Sequence, residues 1–238
     1  MLSLEGSALM VRYILKLTKG EDIRFISHLD YLKAVQRIIK RSSIPVQYSK
    51  GFNPHMECSF AGALSVGVYS QSEYMDIYLQ EEMDKRLILS KLNKSSDKNI
   101  EFLNVKLIGQ RKIRKVMAMV EACLYTIDLK SNDAGLTFSE FKHLLDEDEW
   151  IFLKKSKKSE ILMNLKEGVV ELNYLIENEY LKIVAMLKNG SVFNISPKMI
   201  VSFLKDKLVH LDKESFPNIE RIEMYYNYNG SYIPISMV

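Results

Sequence analysis

The sequence is poor in the residues that build metal clusters and disulfide frameworks. Among its 238 residues there are only two cysteines, Cys58 and Cys123, which lie far apart with no CxxC spacing. Cysteine-ligated zinc and iron–sulfur sites need several closely spaced thiolates, so neither is expected within this chain. A disulfide framework is excluded on the same ground, and this favours a reducing, cytoplasmic setting. We predict no cofactor and no metal ion.

Long apolar runs and nucleotide-binding loops are also missing. No segment approaches the roughly 20 apolar residues of a membrane helix, so no membrane partner is expected. The stretch "GALSVGV", with Gly62 and Gly67, does not have the GxGxxG spacing, and no phosphate-loop lysine or kinase signature is present. The opening "MLSLEGSALM" is too short and too polar for a signal peptide. We predict that residues 1–10 form a disordered leader, with an ordered arm as the alternative.

Positive charge is clustered rather than abundant. The net charge is only +3, yet residues 11–60 carry nine Lys and Arg against four Asp and Glu. Two further basic clusters comprise Lys106, Arg111, Lys112, Arg114 and Lys115, and then Lys154, Lys155, Lys157 and Lys158. Such asymmetry is what a polyanion-binding surface needs, although solvated helix faces are commonly basic as well.

The hydrophobic pattern of the first hundred residues predicts one α/β unit. Alternation of apolar and polar residues predicts half-buried strands at 11–18, 72–80 and 100–108, with short strands on either side of 51–55. Ser27 and Asp84 have the chemistry of helix caps, which predicts helices at 28–41 and 85–93. The order β-α-β-β-α-β is that of the ferredoxin-like split βαβ unit.

A similar order recurs in the second half of the chain. Strands are predicted at 121–129, 168–176, 180–187 and 219–228, with helices starting at the capping box Thr137 to Glu140 and at Ser196. We therefore predict an α+β fold of two tandem ferredoxin-like domains, 11–108 and 119–238, joined by a basic linker at 109–118. One merged sheet is the alternative. Residues 150–165 are the least regular, and an inserted strand and loop are expected there.

One face of the first predicted helix is basic. The spacing of Lys33, Arg37, Lys40 and Arg41 places all four opposite the apolar stripe. The turn that follows, "KGFNPH", contains Lys50, Gly51, Phe52, Asn53, Pro54 and His55. Together the helix face and this turn are the predicted binding surface, and RNA is the predicted partner.

Two histidines are candidate catalytic residues. His28 begins the first helix and His55 lies in the turn, one β-α-β step away, so both are expected at one end of the sheet. Imidazoles titrate near neutrality and can act on an RNA phosphodiester, with helix-start amides, Arg24, Lys50 and Gly51 holding the phosphate. The alternative is a purely structural role. His28, Ser27 and Asp30 would then belong to the helix cap, and His55 would close the turn by a hydrogen bond. Metal binding by the two histidines and Asp30 is the weaker hypothesis, because no ligand pair has helical i, i+4 spacing.

Three quoted segments carry a family resemblance. The segments "RFISHLD", "YSKGFNPHMECSFAGALSVGVYSQSEYMDIYL" and "IERIEMY" resemble the radical-SAM-associated proteins of uncharacterised function, which occur alone or as the C-terminal part of a larger radical SAM protein. The match departs from the family pattern at Met56, Gly62 and Ser65, where prolines are usual. The resemblance implies a stand-alone member without the iron–sulfur domain, which agrees with the missing cysteine triad.

These observations lead to three functional hypotheses. The first is an RNA-binding accessory module in RNA processing or modification that is not itself a radical SAM enzyme. The second is a metal-independent endoribonuclease using His28 and His55. The third is a protein-interaction subunit of a radical SAM enzyme, in which the basic clusters bind an acidic partner.

Overall fold

The computed structural model describes residues 10–109, 113–155, 160–190 and 193–238. Within these residues the chain has four α-helices and eleven β-strands, so the prediction of an α+β fold is confirmed. The chain divides into two compact units. Unit 1 extends to Met119 and includes Ile235–Val238, and unit 2 is Val120–Pro234. The predictions for residues 1–9, for Arg111 and Lys112 of the linker, and for Lys157 and Lys158 lie outside the described residues.

Unit 1 is a sheet with two helices. Its elements are β1 (Val11–Lys19), α1 (His28–Arg41), β2 (Cys58–Phe60), β3 (Tyr69–Leu79), α2 (Lys85–Lys94) and β4 (Phe102–Gly109). Strand β1 lies between β4 and β3, β2 pairs with β3, and all three pairings are antiparallel. The buried face of α1, with Tyr31, Val35, Ile38 and Ile39, packs in one core with side chains of β1 and β3.

The central strands of unit 1 are more buried than their alternating sequence predicts. Arg12 and Ile14 of β1 are buried along with the apolar residues beside them, and Glu73 and Asp76 of β3 are fully buried. The segment that follows β4 accounts for part of this difference, because its backbone is bonded to Arg12 and Asp76. A strand covered on both faces cannot be recognised by alternation, because alternation reports one solvated face.

Arg12 and Asp76 form the buried polar centre of unit 1. Arg12 Nε donates to Asp76 Oδ1 at 2.7 Å, and its Nη1 and Nη2 donate to the carbonyl oxygens of Ile113 and Arg114. Asp76 Oδ2 accepts the backbone N–H of Val116 at 2.8 Å. Both charges are therefore paired, and the chain after β4 is fastened to β1 and β3.

Unit 2 contains a set of antiparallel strands, two helices and a separate hairpin. Its elements are β5 (Ala122–Lys130), α3 (Ala134–Asp146), β6 (Ile151–Lys155), β7 (Glu160–Asn164), β8 (Val169–Glu177), β9 (Tyr180–Lys188), α4 (Pro197–Lys207), β10 (Asn218–Tyr228) and β11 (Ser231–Pro234). The sheet order is β10-β5-β9-β8 with antiparallel pairings, and β11 adds to β10. Trp150 stacks on Phe203 in its core, with ring centroids 5.5 Å apart.

Two features of unit 2 differ from the sequence prediction. Helix α3 is capped by Asp133, whose side chain accepts the N–H of Leu136, and not by Thr137. Thr137 is buried inside the helix, where its hydroxyl is bonded to that of Ser131 at 2.7 Å. The second difference is β11, which was not predicted. Its turn at Asn229 and Gly230 has positive φ at both residues, which is typical of a two-residue hairpin.

Replacing Arg12 by alanine tests the buried pair. The substitution leaves Asp76 buried without its cation, and removing one partner of such a pair typically costs about 3–5 kcal/mol of unfolding free energy. Urea denaturation should show this loss, whereas the exposed Arg37→Ala control should change stability by less than about 0.5 kcal/mol. A loss for Arg12→Ala no larger than that of the control would contradict the structural role of the pair.

Candidate functional site

A groove of about 320 Å³ lies between α1 and the segment that contains the predicted turn. Its lining combines three cations, an amide, an imidazole, a phenol and two apolar side chains. These residues are Lys33, Gln36, Arg37, Lys40, Tyr48, Pro54, His55 and Met56. The structure thus brings together the basic helix face and the end of the turn, two features that lie about 20 residues apart in the printed sequence.

The helical period of α1 places the cations on the groove. Lys33, Arg37 and Lys40 are separated by four and three residues, the spacing that brings side chains onto one helix face. The opposite face is anchored in the core, so the helix cannot rotate to bury the cations elsewhere. Arg41 has a different role, because its Nη2 donates to the carbonyl oxygen of Ser95 at the end of α2, at 2.8 Å.

The groove has an uncompensated positive charge. No carboxylate is among the residues that line it. Within the described part of the chain, Lys33, Arg37 and Lys40 form no ion pair. Like charges that converge on a concave surface without counter-charges raise the local concentration of anions. The arrangement therefore fits a ligand that carries several negative charges.

The segment that faces α1 is closed at its base by a set of short-range bonds. Tyr48 and Met56 form an antiparallel bridge. The N–H of Ser49 donates to the carbonyl of His55 at 2.9 Å, and the N–H of His55 donates to Ser49 Oγ at 3.1 Å. The same hydroxyl lies 2.8 Å from His55 Nδ1. The ring of His55 is thereby oriented at the groove, with Nδ1 engaged and the residue exposed.

The tip of this loop presents an aromatic side chain to solvent. Gly51 has φ +129°, a conformation that favours glycine, and no heavy atom outside its chain neighbours lies within 4 Å of the position of a Cβ. Phe52 follows it with a relative exposure of 107%, and Lys50 and Asn53 are also exposed. The sequence pattern predicted the turn, but it did not show that Phe52 has no place in the core.

The residues at the start of α1 lie outside the groove lining. The ring of His28 packs edge-on against Phe60, with centroids 5.6 Å apart. Asp30 donates its N–H to Ser27 Oγ at 3.1 Å, and the Ser27 hydroxyl donates to the Asp30 carboxylate at 2.6 Å, which is the predicted cap. Arg24 is paired with Glu21. The groove therefore contains His55 but not His28, Ser27, Asp30 or Arg24.

In the described residues there is no group of three or more His, Cys, Asp or Glu side chains placed to hold a metal ion. Across the same part of the chain, no helix combines the length and apolar character needed to cross a membrane.

The sequence of this chain matches a family model over residues 12–197, which is most of its length. The family is described as an uncharacterized protein conserved in bacteria, DUF2344. The chain belongs to this family. Both α1 and the groove-lining loop fall within the matched residues. No curated protein matches the sequence.

Comparison with solved structures gives only distant likenesses. One is a crystal structure of a Cbf5–Nop10–Gar1 complex, with a TM-score of 0.49 and 11% identity over 89% of this chain. The chain spans about half of that protein's length, 48%. Another is an unknown protein from Galdieria sulphuraria, with a TM-score of 0.26, 10% identity, and coverage of 89% of this chain and 97% of that one. Likenesses at this level support no inference about function.

The thiol of Cys58 provides a test of the packing behind the groove. Burial raises the pKa of this thiol, and a hydrogen bond from the groove residue Gln36 opposes the rise. The thiolate is the reactive form, so below its pKa Cys58 should alkylate more slowly than a free cysteine and accelerate as the pH rises. Iodoacetamide labelling between about pH 7 and pH 10, followed by peptide mass spectrometry, measures this. Labelling of the folded protein at the rate of the urea-unfolded control at neutral pH would contradict it.

Proposed function

We propose that the protein is an RNA-binding accessory module that acts in RNA processing or modification and is not itself a radical SAM enzyme. The observation that carries this proposal is the groove, where Lys33, Arg37 and Lys40 converge without a carboxylate in the lining. RNA supplies the matching chemistry, because its backbone presents regularly spaced negative charges.

The dimensions of α1 fit a short run of phosphates. An α-helix rises about 1.5 Å per residue, so Lys33 and Lys40 are separated by about 10 Å along the axis. Each strand of a DNA duplex carries one charge per roughly 3.4 Å of helix axis, so this helix face is long enough to contact more than one phosphate. Contacts of this kind position the ligand and provide affinity, but they do not read its sequence.

We also propose that each unit is a ferredoxin-like domain. The antiparallel orders β4-β1-β3-β2 in unit 1 and β10-β5-β9-β8 in unit 2 support this assignment, since each unit has two helices in the matching positions of the chain. Many proteins of this class bind RNA on the open sheet face, but the fold alone does not decide function. Here Tyr74 of β3 is buried, so the proposal relies on the helix-and-loop groove instead.

The two alternative hypotheses make separate predictions. A ribonuclease would use His55 in the groove, but His28 packs on Phe60 and is not part of the lining. Incubation of purified protein with RNA at neutral pH decides this hypothesis, because cleavage abolished by His55→Ala would support it and intact RNA would exclude it.

A radical SAM protein as partner stays a hypothesis drawn from the sequence resemblance. It requires binding to such a protein that persists after nuclease treatment.

Charge reversal on the groove tests the proposed function. We expect Lys33→Glu with Arg37→Glu to weaken binding to RNA and to reduce the slope of log K against log salt by about one for each side chain. Fluorescence anisotropy with labelled RNA between about 50 and 200 mM salt measures both quantities.

A matched control separates the groove from general surface charge. Lys85 and Arg86 are exposed in the first turn of α2, in the same unit, so Lys85→Glu with Arg86→Glu changes the net charge equally. This control should retain most of the affinity. Equal losses in the two double variants, or no RNA binding by the wild type at low salt, would overturn the proposal.

A further inference from the structure

Phe52 is a fully exposed aromatic side chain in the loop that borders the groove. Its relative exposure of 107% means that the ring contributes nothing to the core. Isolated exposed apolar side chains are common in proteins and need no special explanation. This ring differs because it stands on a loop whose base is closed by three bonds between Ser49 and His55, next to the cationic groove.

The loop holds the ring in a restricted range of positions. Pro54 has a fixed φ, and a residue that precedes proline, here Asn53, is disfavoured in the helical conformation. The bridge between Tyr48 and Met56 fixes the two ends of the loop. A ligand that contacts Phe52 therefore meets a partly ordered loop, and less conformational entropy is lost on binding.

We propose that the ligand of this groove is a single-stranded segment of RNA, in which an unpaired base stacks on Phe52 while neighbouring phosphates contact Lys33, Arg37 and Lys40. The inference rests on the proposed function and narrows it to one class of RNA. An aromatic face accepts any base, and stacking of this kind is tolerant of sequence.

The exposed ring favours a single strand over a duplex. In an RNA duplex the faces of the bases are covered by their neighbours, so only the backbone and the groove edges are accessible. A flexible single strand can turn one base out onto the ring while its backbone follows the cations. The chain is also uncrowded at Gly51, because no heavy atom outside its chain neighbours lies within 4 Å of the position of a Cβ.

A membrane surface is a less suitable partner for the same loop. The residues on either side of Phe52 are Gly51, Asn53 and Pro54, which add little apolar area to the tip. Interfacial binding strength scales with the apolar area that enters the lipid. The groove beside the loop is also concave, whereas a lipid surface requires a broad contact.

The experiment compares one RNA in two states. A labelled strand of about 12 nucleotides, alone or annealed to its complement, is titrated with the full chain and with Phe52→Ala. Phe52→Ala should weaken binding of the single strand by about 5- to 150-fold and leave binding of the duplex unchanged. Because the ring has no packing role, the variant should unfold at the same urea concentration as the wild type.

Phe52→Trp supplies a direct signal for stacking. The one natural tryptophan, Trp150, is buried at 1% exposure, so a new exposed indole dominates any change in fluorescence on binding. We expect this variant to retain the affinity for single-stranded RNA and its indole emission to be quenched by the strand but not by the duplex.

Each contrary outcome points to one of the two proposals. If Lys33→Glu with Arg37→Glu weakens binding but Phe52→Ala does not, stacking is overturned while the proposed function stands. If the charge reversal has no effect, the proposed function fails and this inference fails with it. Equal losses for strand and duplex on Phe52→Ala overturn the single-strand preference. Phe52-dependent binding to vesicles of phosphatidylcholine and phosphatidylglycerol, without preference for the single strand, overturns RNA as the partner.

Discussion

The structure of unit 1 depends on one buried ion pair. Arg12 and Asp76 are removed from water, which is unfavourable for both charges unless each is fully paired. The geometry meets this requirement, because the guanidinium also binds two carbonyl oxygens and the carboxylate also binds the N–H of Val116. The pair joins β1 to β3 and fixes the chain that follows β4. Since α1 packs on these strands, the cations of the groove are held in place by this arrangement.

Local chemistry in the sequence was sufficient to predict most of the elements. Ser27, Asp84 and Ser196 cap their helices as expected, and the strands of the hairpin β8–β9 lie close to their predicted bounds. Local chemistry failed in two places. Helix α3 is capped by Asp133, and the buried hydroxyl of Thr137 is instead bonded to Ser131, six residues earlier. The burial of both faces of β1 depends on residues about a hundred positions away.

The candidate site shows the same division between local and long-range information. Helical spacing alone was enough to place Lys33 and Arg37 on one face. Grouping them with Pro54 and His55 was a hypothesis that helical spacing does not supply, because that contact depends on how the whole segment after α1 returns along the helix. Nor could the sequence show which of the two histidines, His28 or His55, lines the groove. Their residue type is the same, and only the structure shows that the half-buried ring of His28 packs on Phe60 whereas His55 lines the groove.

The start of α1 and its basic face differ in their capacity to accept an anion. At the start, Ser27 satisfies the N–H of Asp30, and the carboxylate of Asp30 adds negative charge beside the helix terminus. The Lys19 ammonium is also engaged there, since it donates to the carbonyl oxygens of Arg24 and Ile26. An anion at the helix start would therefore compete with an existing carboxylate. On the groove face the cations have no such competitor, so electrostatics favours the groove as the place where a phosphate backbone binds.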